Sequence, residues 1–447
     1  MCYNINGEYY IMLTDNVLKL SYYNLVVDET ATELYIWNTK RGSIVKLEKQ
    51  IYEKVMQGCF TGEVIQYIDA LTKEGIVVPK DLDEQQEIIF RARQRQYSTG
   101  RESLGFVVAP TLACNFCCPY CFQHGIERNG IMSNEVQESF IEALKKKLND
   151  NSQIKSVRIT WFGGEPLLAY NNVIVPLQNA LINLCNERNV RISFSIITNG
   201  YYLTEEKFDY LFKSGQTKFV QITLDGSKEE YIKRKGTTAE AFYTVINNIL
   251  NLSEYLYKNS IRIKLNIRLN ADNANYTNIK ELVLELKADE RFHDNIYFAL
   301  ERLREYGQCQ ALTNYCTTNE FENLKYDFED FIGKTVKFPE PKTVFCGQHC
   351  MNVFCIGVNG EIYKCEHDLG VSEHVIGDIK TGLTFNKYFL DFMDQPLPKK
   401  CFSCRILPVC MGGCPHRRFS HGGDIECDFT IENLVKSVKR FILNKEV

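Results

Sequence analysis

Residues 105–121 read GFVVAPTLACNFCCPYC: an apolar strand candidate, GFVVAPT, leads straight into a loop that carries four cysteines. Downstream the same strand signal returns as SVRITWF (156–162), RISFSIIT (191–198), KFVQITL (218–224), IRIKLNIRL (261–269) and IYFAL (296–300). Helix-length segments lie between most of them, NEVQESFIEALKKKL (134–148) and AFYTVINNILNLSEYL (241–256) being the clearest. Alternating β and α units imply a parallel sheet, open or closed into a barrel.

Upstream, residues 1–95 read as a small mixed unit. Short strand-like runs (EYYIML, VLKLSYY, ELYIWN) precede two helical patterns, SIVKLEKQIYEKVMQ (43–57) and GEVIQYIDALTKE (62–74), and a returning strand GIVV. That order suits a winged-helix-like α+β module. A charged stretch, 81–103, follows as a linker or solvated helix. Residues 340–430 are cysteine-rich and irregular, and 431–447 begin with the amphipathic helix IENLVKSVKRFILN.

With 447 residues, two or three domains are expected. A hydrophobic share of 45% and a charged share of 24% suit a folded globular chain. The net charge of −4 gives no reason to expect nucleic acid or an anionic membrane as partner. No signal peptide and no uninterrupted apolar run of about 18 residues is read, so a cytoplasmic location is expected.

The 18 cysteines are unevenly placed: four within 114–121 and nine between Cys346 and Cys427. In a reducing compartment such bunching favours metal or redox chemistry over disulfides. Cys114-x3-Cys118-x2-Cys121 puts three thiolates on one tight loop, able to ligate three irons of a [4Fe–4S] cube and leave the fourth open. Cys117 offers a competing register, and a zinc knuckle is the other reading of such a loop. Gly163-Gly164-Glu165-Pro166, Thr198-Asn199-Gly200 and Thr223-Leu224-Asp225-Gly226 end the next three strands. Each is also an ordinary turn signal, yet all fall on the rim where β/α barrels gather functional groups. The second array runs Cys346, Cys350, Gly360-x4-Cys365, Cys401-x2-Cys404-x5-Cys410-x3-Cys414, then Cys427.

The triplet, the GGEP and the ITLDG together resemble the radical S-adenosylmethionine (SAM) superfamily over about residues 105–310. The resemblance implies a partial (β/α)6 barrel of TIM type, and reductive cleavage of SAM to a 5′-deoxyadenosyl radical that abstracts hydrogen from a C–H bond. It implies SAM contacts at Gly163, Gly164 and Glu165 (methionyl amino group), Thr223 (ribose or carboxylate) and Tyr120 (adenine). Asn199, Asp225, Arg234 and Arg268 are further carry-overs. The second array resembles the SPASM extension of peptide- and protein-modifying members. It implies auxiliary cluster I on Cys346, Cys350, Cys365 and Cys414, with Cys355 a rival ligand, and auxiliary cluster II on Cys401, Cys404, Cys410 and Cys427. Three [4Fe–4S] clusters would result, with Cys2, Cys59, Cys117, Cys185, Cys309 and Cys316 ordinary thiols.

What the resemblance implies about function is an oxidoreductase that matures ribosomal peptides, its N-terminal module gripping a leader as an added strand. The implied product is a thioether or carbon–carbon cross-link, and the implied partners are a precursor peptide and a flavodoxin or ferredoxin-type electron donor. Anaerobic sulfatase maturases, which form formylglycine, are the competing enzyme reading. An iron–sulfur redox sensor is the competing non-enzyme reading, and it would have no need for SAM.

Overall fold

The computed structural model describes residues 2–3, 9–10, 18–98, 102–128, 130–304, 315–334, 336–423 and 426–444. Cys309, most of EYYIML and the last three residues of the C-terminal segment lie outside them. The chain divides into two compact units. One comprises residues 97–328 and 347–395; the other joins residues 1–96, 329–346 and 396–447.

In the first unit six strands, β1 (Ser103–Val108), β2 (Ser156–Trp161), β3 (Arg191–Thr198), β4 (Thr217–Thr223), β5 (Lys264–Ala271) and β6 (Ile296–Arg302), pair in parallel and in sequence order. On the far side of β1, β7 (Val353–Ile356) adds in parallel, and three short antiparallel strands extend the sheet to ten. This mixed α/β fold with its large parallel sheet is the one expected from the alternating pattern.

Sequence chemistry accounts for the elements. Helix α1 (Asn134–Asp150) starts where the Ser133 hydroxyl accepts from the Val136 N–H at 3.3 Å, and Val136, Phe140, Leu144 and Leu148 form its buried stripe. Helix α2 (Ala239–Lys258) is capped the same way by Thr238. Beneath them Val157, Ile159, Trp161, Phe194, Ile196 and Ile222 are buried, with Trp161 and Phe194 stacked at 6.1 Å. Burying each such side chain contributes about 1.5–3 kcal/mol. A barrel core of this kind holds the strand ends rigidly.

The second unit contains a three-stranded antiparallel sheet of Asn24–Glu29, Glu33–Asn38 and Ser43–Glu48. Residues 43–57, expected as one helix, are a strand followed by helix Lys49–Met56. The β-branched Ile44 and Val45 pair with Trp37 and Ile36, and that ladder overrides the helical spacing. The charged stretch after Pro79 is a helix, Glu84–Tyr97, with Ile88 buried. The N-terminal residues close one core of their own, with Ile36, Ile51, Val64 and Ile76 among its buried residues, and share a second, in which Leu25, Val27 and Trp37 pack with Ile406, Val409, Leu434 and Val438. Leu434 and Val438 come from the C-terminal helix, Ile431–Leu443.

No helix among the described residues is long and apolar enough to cross a membrane.

Candidate active site and cysteine clusters

Parallel strands present their C-terminal ends on one rim, so the loops after β1, β2, β3 and β4 share it. The loop after β1 is laced to the loop after β2 by backbone. Phe162 N–H reaches Val108 O at 3.0 Å, Gly164 N–H reaches Thr111 O at 3.1 Å, and Glu165 N–H reaches Ala113 O at 2.8 Å. Only glycine permits this approach: a Cβ on Gly164 would lie 2.2 Å from Ala113 O and 2.4 Å from Leu112 O. The GGEP glycines thus hold Cys114 in place.

The Glu165 carboxylate is fully buried and engaged within the protein. It accepts from the Thr198 hydroxyl at 2.7 Å, from Asn199 N–H at 2.8 Å and from Leu167 N–H at 3.0 Å. Burial pushes its pKa up to about 7, and these three donors oppose that rise. Asn199 turns its side-chain NH2 to Asn115 Oδ1 at 2.8 Å and to the Cys114 sulfur at 3.8 Å.

On the other side of the loop, Cys117 N–H donates to Lys235 O at 3.1 Å. Lys235, a residue the sequence reading passed over, is 3% exposed; its ammonium pairs with Asp225 at 3.0 Å and donates to the Tyr120 hydroxyl at 2.5 Å. The Tyr120 hydroxyl also bonds Asp225, whose other oxygen accepts Asn270 N–H at 3.1 Å. Tyr120 is thereby anchored to the end of β4. The only local sign of Lys235 was the basic last turn of helix Lys228–Lys235, which reads like any helix terminus. Arg234 is tied to Asp272 at 2.7 Å and Glu230 at 2.5 Å, a structural ion-pair set. Thr223 and Arg268 are cross-strand neighbours, and Arg268 donates to Asn270 Oδ1 at 2.9 Å.

Cys114, Cys118 and Cys121 are half-buried, whereas Cys117 faces solvent. Burial pushes the Cys118 thiol up to about 12, so a buried thiolate here needs cationic compensation. Among the described residues no three His, Cys, Asp or Glu side chains converge on one ion-sized point. The thiolates of a cube cap different irons, so they need no common point. Three half-buried thiols on one braced loop fit that group.

The cysteines from 401 to 427 lie in the second unit. Cys401, Cys404, Cys410 and Cys427 line a cavity of about 110 Å³, with Ile406, Leu407 and Phe429 among its apolar walls. Paired backbone N–H groups favour the thiolate at successive sulfurs: Ile406 and Leu407 at Cys404, Gly412 and Gly413 at Cys410, Arg417 and His416 at Cys414. Asp428 holds the Cys414 N–H at 3.2 Å and Arg417 at 2.8 Å. Of the other four, Cys350 and Cys365 fall in the barrel unit, and Cys346 and Cys414 in the second. Cys355 and Cys365 are both buried in the barrel unit, close enough that Cys355 raises the Cys365 pKa. Cys185 is a buried thiol on a core helix.

A braced three-cysteine loop on the rim of a parallel β/α sheet defines a class, and residues 108–270 match the Radical SAM superfamily model. Residues 108–270 thus carry a radical SAM domain, and such a domain implies an enzyme that uses a [4Fe–4S] cluster and SAM. It is similar to the cysteine-type anaerobic sulfatase-maturating enzyme of Clostridium novyi, 28% identical over 350 residues, covering 70% of this chain and 88% of that protein. It is also similar to the radical SAM cyclopropyl synthase TigE of Paramaledivibacter caminithermalis, 22% identical over 450 residues and 90% of each chain. Among solved structures, Streptococcus suis SuiB shares the fold with a TM-score of 0.51 at 16% identity, covering 92% of this chain and 98% of that one.

Proposed function

We propose that this enzyme matures a ribosomally made peptide, gripping the leader on its N-terminal sheet and closing a thioether or carbon–carbon cross-link in the segment that follows. The observation that carries the reading is a free sheet edge. Ser43–Glu48 pairs only with Glu33–Asn38 among the described residues. Lys49 N–H bonds Thr32 O in the same register, so by alternation the N–H groups of Ile44, Lys46 and Glu48 point outward. An extended peptide can add there as a fourth strand. The similarity to TigE, a radical SAM cyclopropyl synthase, runs over 90% of each chain and supports a bond-forming role.

Cys114, Cys118 and Cys121 would hold a [4Fe–4S] cluster, whose chemistry when bound would be one-electron reduction of SAM leading to hydrogen abstraction from the substrate. The chain's own residues orient the cofactor. Carbonyls at Gly163, Gly164 and Glu165 would accept from the methionyl ammonium and Thr223 would bind its ribose or carboxylate, with Asn199 and Arg268 as further contacts. Tyr120, held by Asp225 and Lys235, would wall the adenine side. Cys401, Cys404, Cys410 and Cys427 would hold one auxiliary cluster, and Cys346, Cys350, Cys365 and Cys414 another, about twelve irons in all. A flavodoxin or ferredoxin-type partner would donate the electron that starts the reaction, and the auxiliary cysteines would hold the acceptor for the second electron of the oxidation.

Lys46→Pro tests the edge, because it removes one outward N–H while leaving the ladder to Glu33–Asn38 intact. The variant is expected to release 5′-deoxyadenosine at the wild-type rate and to lose conversion of a co-expressed precursor, seen as loss of two hydrogens by mass spectrometry. Full conversion by the variant would refute leader capture on this edge.

A second reading, formylglycine formation on a sulfatase, is favoured by the 28% identity to the Clostridium novyi enzyme. A cysteine-containing sulfatase peptide converted to formylglycine would decide for it.

A further inference from the structure

Arg418 is 3% exposed and sits one turn after Cys414, on the short helix Pro415–Ser420. Its guanidinium folds back against the loop between Cys410 and Cys414, where Nη1 donates to Gly412 O at 3.2 Å and to Met411 O at 3.4 Å. The fit is close: a Cβ on Gly412, which has φ +79°, would lie 2.4 Å from that nitrogen.

A trans peptide is planar, with its C=O and the following N–H pointing in opposite directions. The carbonyl of Met411 shares a plane with the N–H of Gly412, and the carbonyl of Gly412 shares one with the N–H of Gly413. Holding both carbonyls on one side therefore turns both N–H groups to the other. Those are the two N–H groups that favour the Cys410 thiolate; that of Gly413 is shared with Cys410 O at 3.1 Å. We propose that Arg418 is a positioning residue that aims the Gly412 and Gly413 amides at the Cys410 sulfur and so sets the reduction potential of the cluster held there.

Two effects act in the same direction. Amide N–H groups on a ligand sulfur stabilise the added negative charge of the reduced state, and a buried cation behind the loop does the same. Burial works against the Arg418 charge, while the sulfurs of Cys401, Cys414 and Cys410 work for it, as expected of a cation paired with an anionic group. Arg418 does not line the cavity, so it acts through the loop rather than as a ligand.

The inference rests on the reading that this array holds a cluster, and the experiment separates the two. Full-length, anaerobically reconstituted Arg418→Met and Arg418→Lys are compared with wild type by iron content and by a redox titration followed by electron paramagnetic resonance. Cys404→Ala identifies which signal belongs to this array. Arg418→Met is expected to keep its iron and to titrate at a more negative potential. Arg418→Lys, which keeps the charge but not the double grip, is expected to fall between. Exchangeable-proton couplings to this cluster should weaken in both. Normal iron with an unmoved potential would overturn the role of Arg418 alone. Should Arg418→Met lose the cluster, the potential of Arg418→Lys decides in the same way. Wild-type iron that stops near a single cube, with zinc in the array, would overturn the underlying reading as well.

Discussion

The two cysteine regions are braced in opposite ways. Around 114–121 the loop is held by its neighbours' backbone, from Gly164 and Glu165 on one side and Lys235 on the other, while the sulfurs themselves have few donors. Among the described residues Cys114 has the Phe116 N–H at 3.4 Å and the Asn199 side chain at 3.8 Å. In 401–427, paired amides face Cys404, Cys410 and Cys414. Donors on sulfur favour the reduced, more negative state of a cluster. A loop poor in donors suits a strong reductant, and a donor-rich one suits an electron acceptor.

The hardest test of that contrast removes one ligand from each region. Cys118→Ala should abolish release of 5′-deoxyadenosine under dithionite, whereas Cys404→Ala should still cleave SAM and form no cross-linked product. Full product from Cys404→Ala would make the C-terminal array dispensable and end the comparison.

A methyl group placed in each loop gives a smaller effect. Gly164→Ala drives a Cβ into the carbonyls of Leu112 and Ala113 and should cost roughly 1–3 kcal/mol, together with the iron of the first loop only. Gly412→Ala should instead deplete the C-terminal iron, because its φ of +79° and the Arg418 contact are both lost. Equal loss at both sites from either variant would mean that the two loops are not braced independently.

The smallest effect concerns the barrel rim and depends on pH. Burial raises Glu165 from its ordinary value to about 7, so its carboxyl is neutral at low pH and becomes charged as pH rises through 7. The Thr198 hydroxyl stabilises the charged form. Thr198→Val should therefore destabilise by about 1–3 kcal/mol at pH 8 and by less at pH 6, read as the difference in Tm from wild type. A difference that does not change with pH would place the carboxyl in one state throughout.

Much of the barrel was legible because it is local. β3 runs over Arg191–Thr198 as its apolar run implied, and the Ser133 and Thr238 caps start helices where the periodicity begins. The cysteine spacings were legible for the same reason, since ligands on one tight loop must be close in sequence. Residues 43–57 were misread because strand pairing with Glu33–Asn38 outweighs helical spacing, and pairing is not a local property. Lys235 was missed because an ion pair with Asp225 needs two elements brought together by the sheet.

Sequence alone determined the βα alternation, the three-cysteine loop and the order of the C-terminal cysteines, all set by short-range spacing and burial pattern. Tertiary structure alone decided which of the four cysteines in 114–121 faces solvent and where the Glu165 carboxylate is engaged. It also decided that the first sheet and the last helix share one core, with Trp37 against Leu434 and Val438. Those outcomes depend on contacts between residues up to about four hundred positions apart, and hydrophobic burial, being non-directional, leaves no trace of its partner in the local sequence.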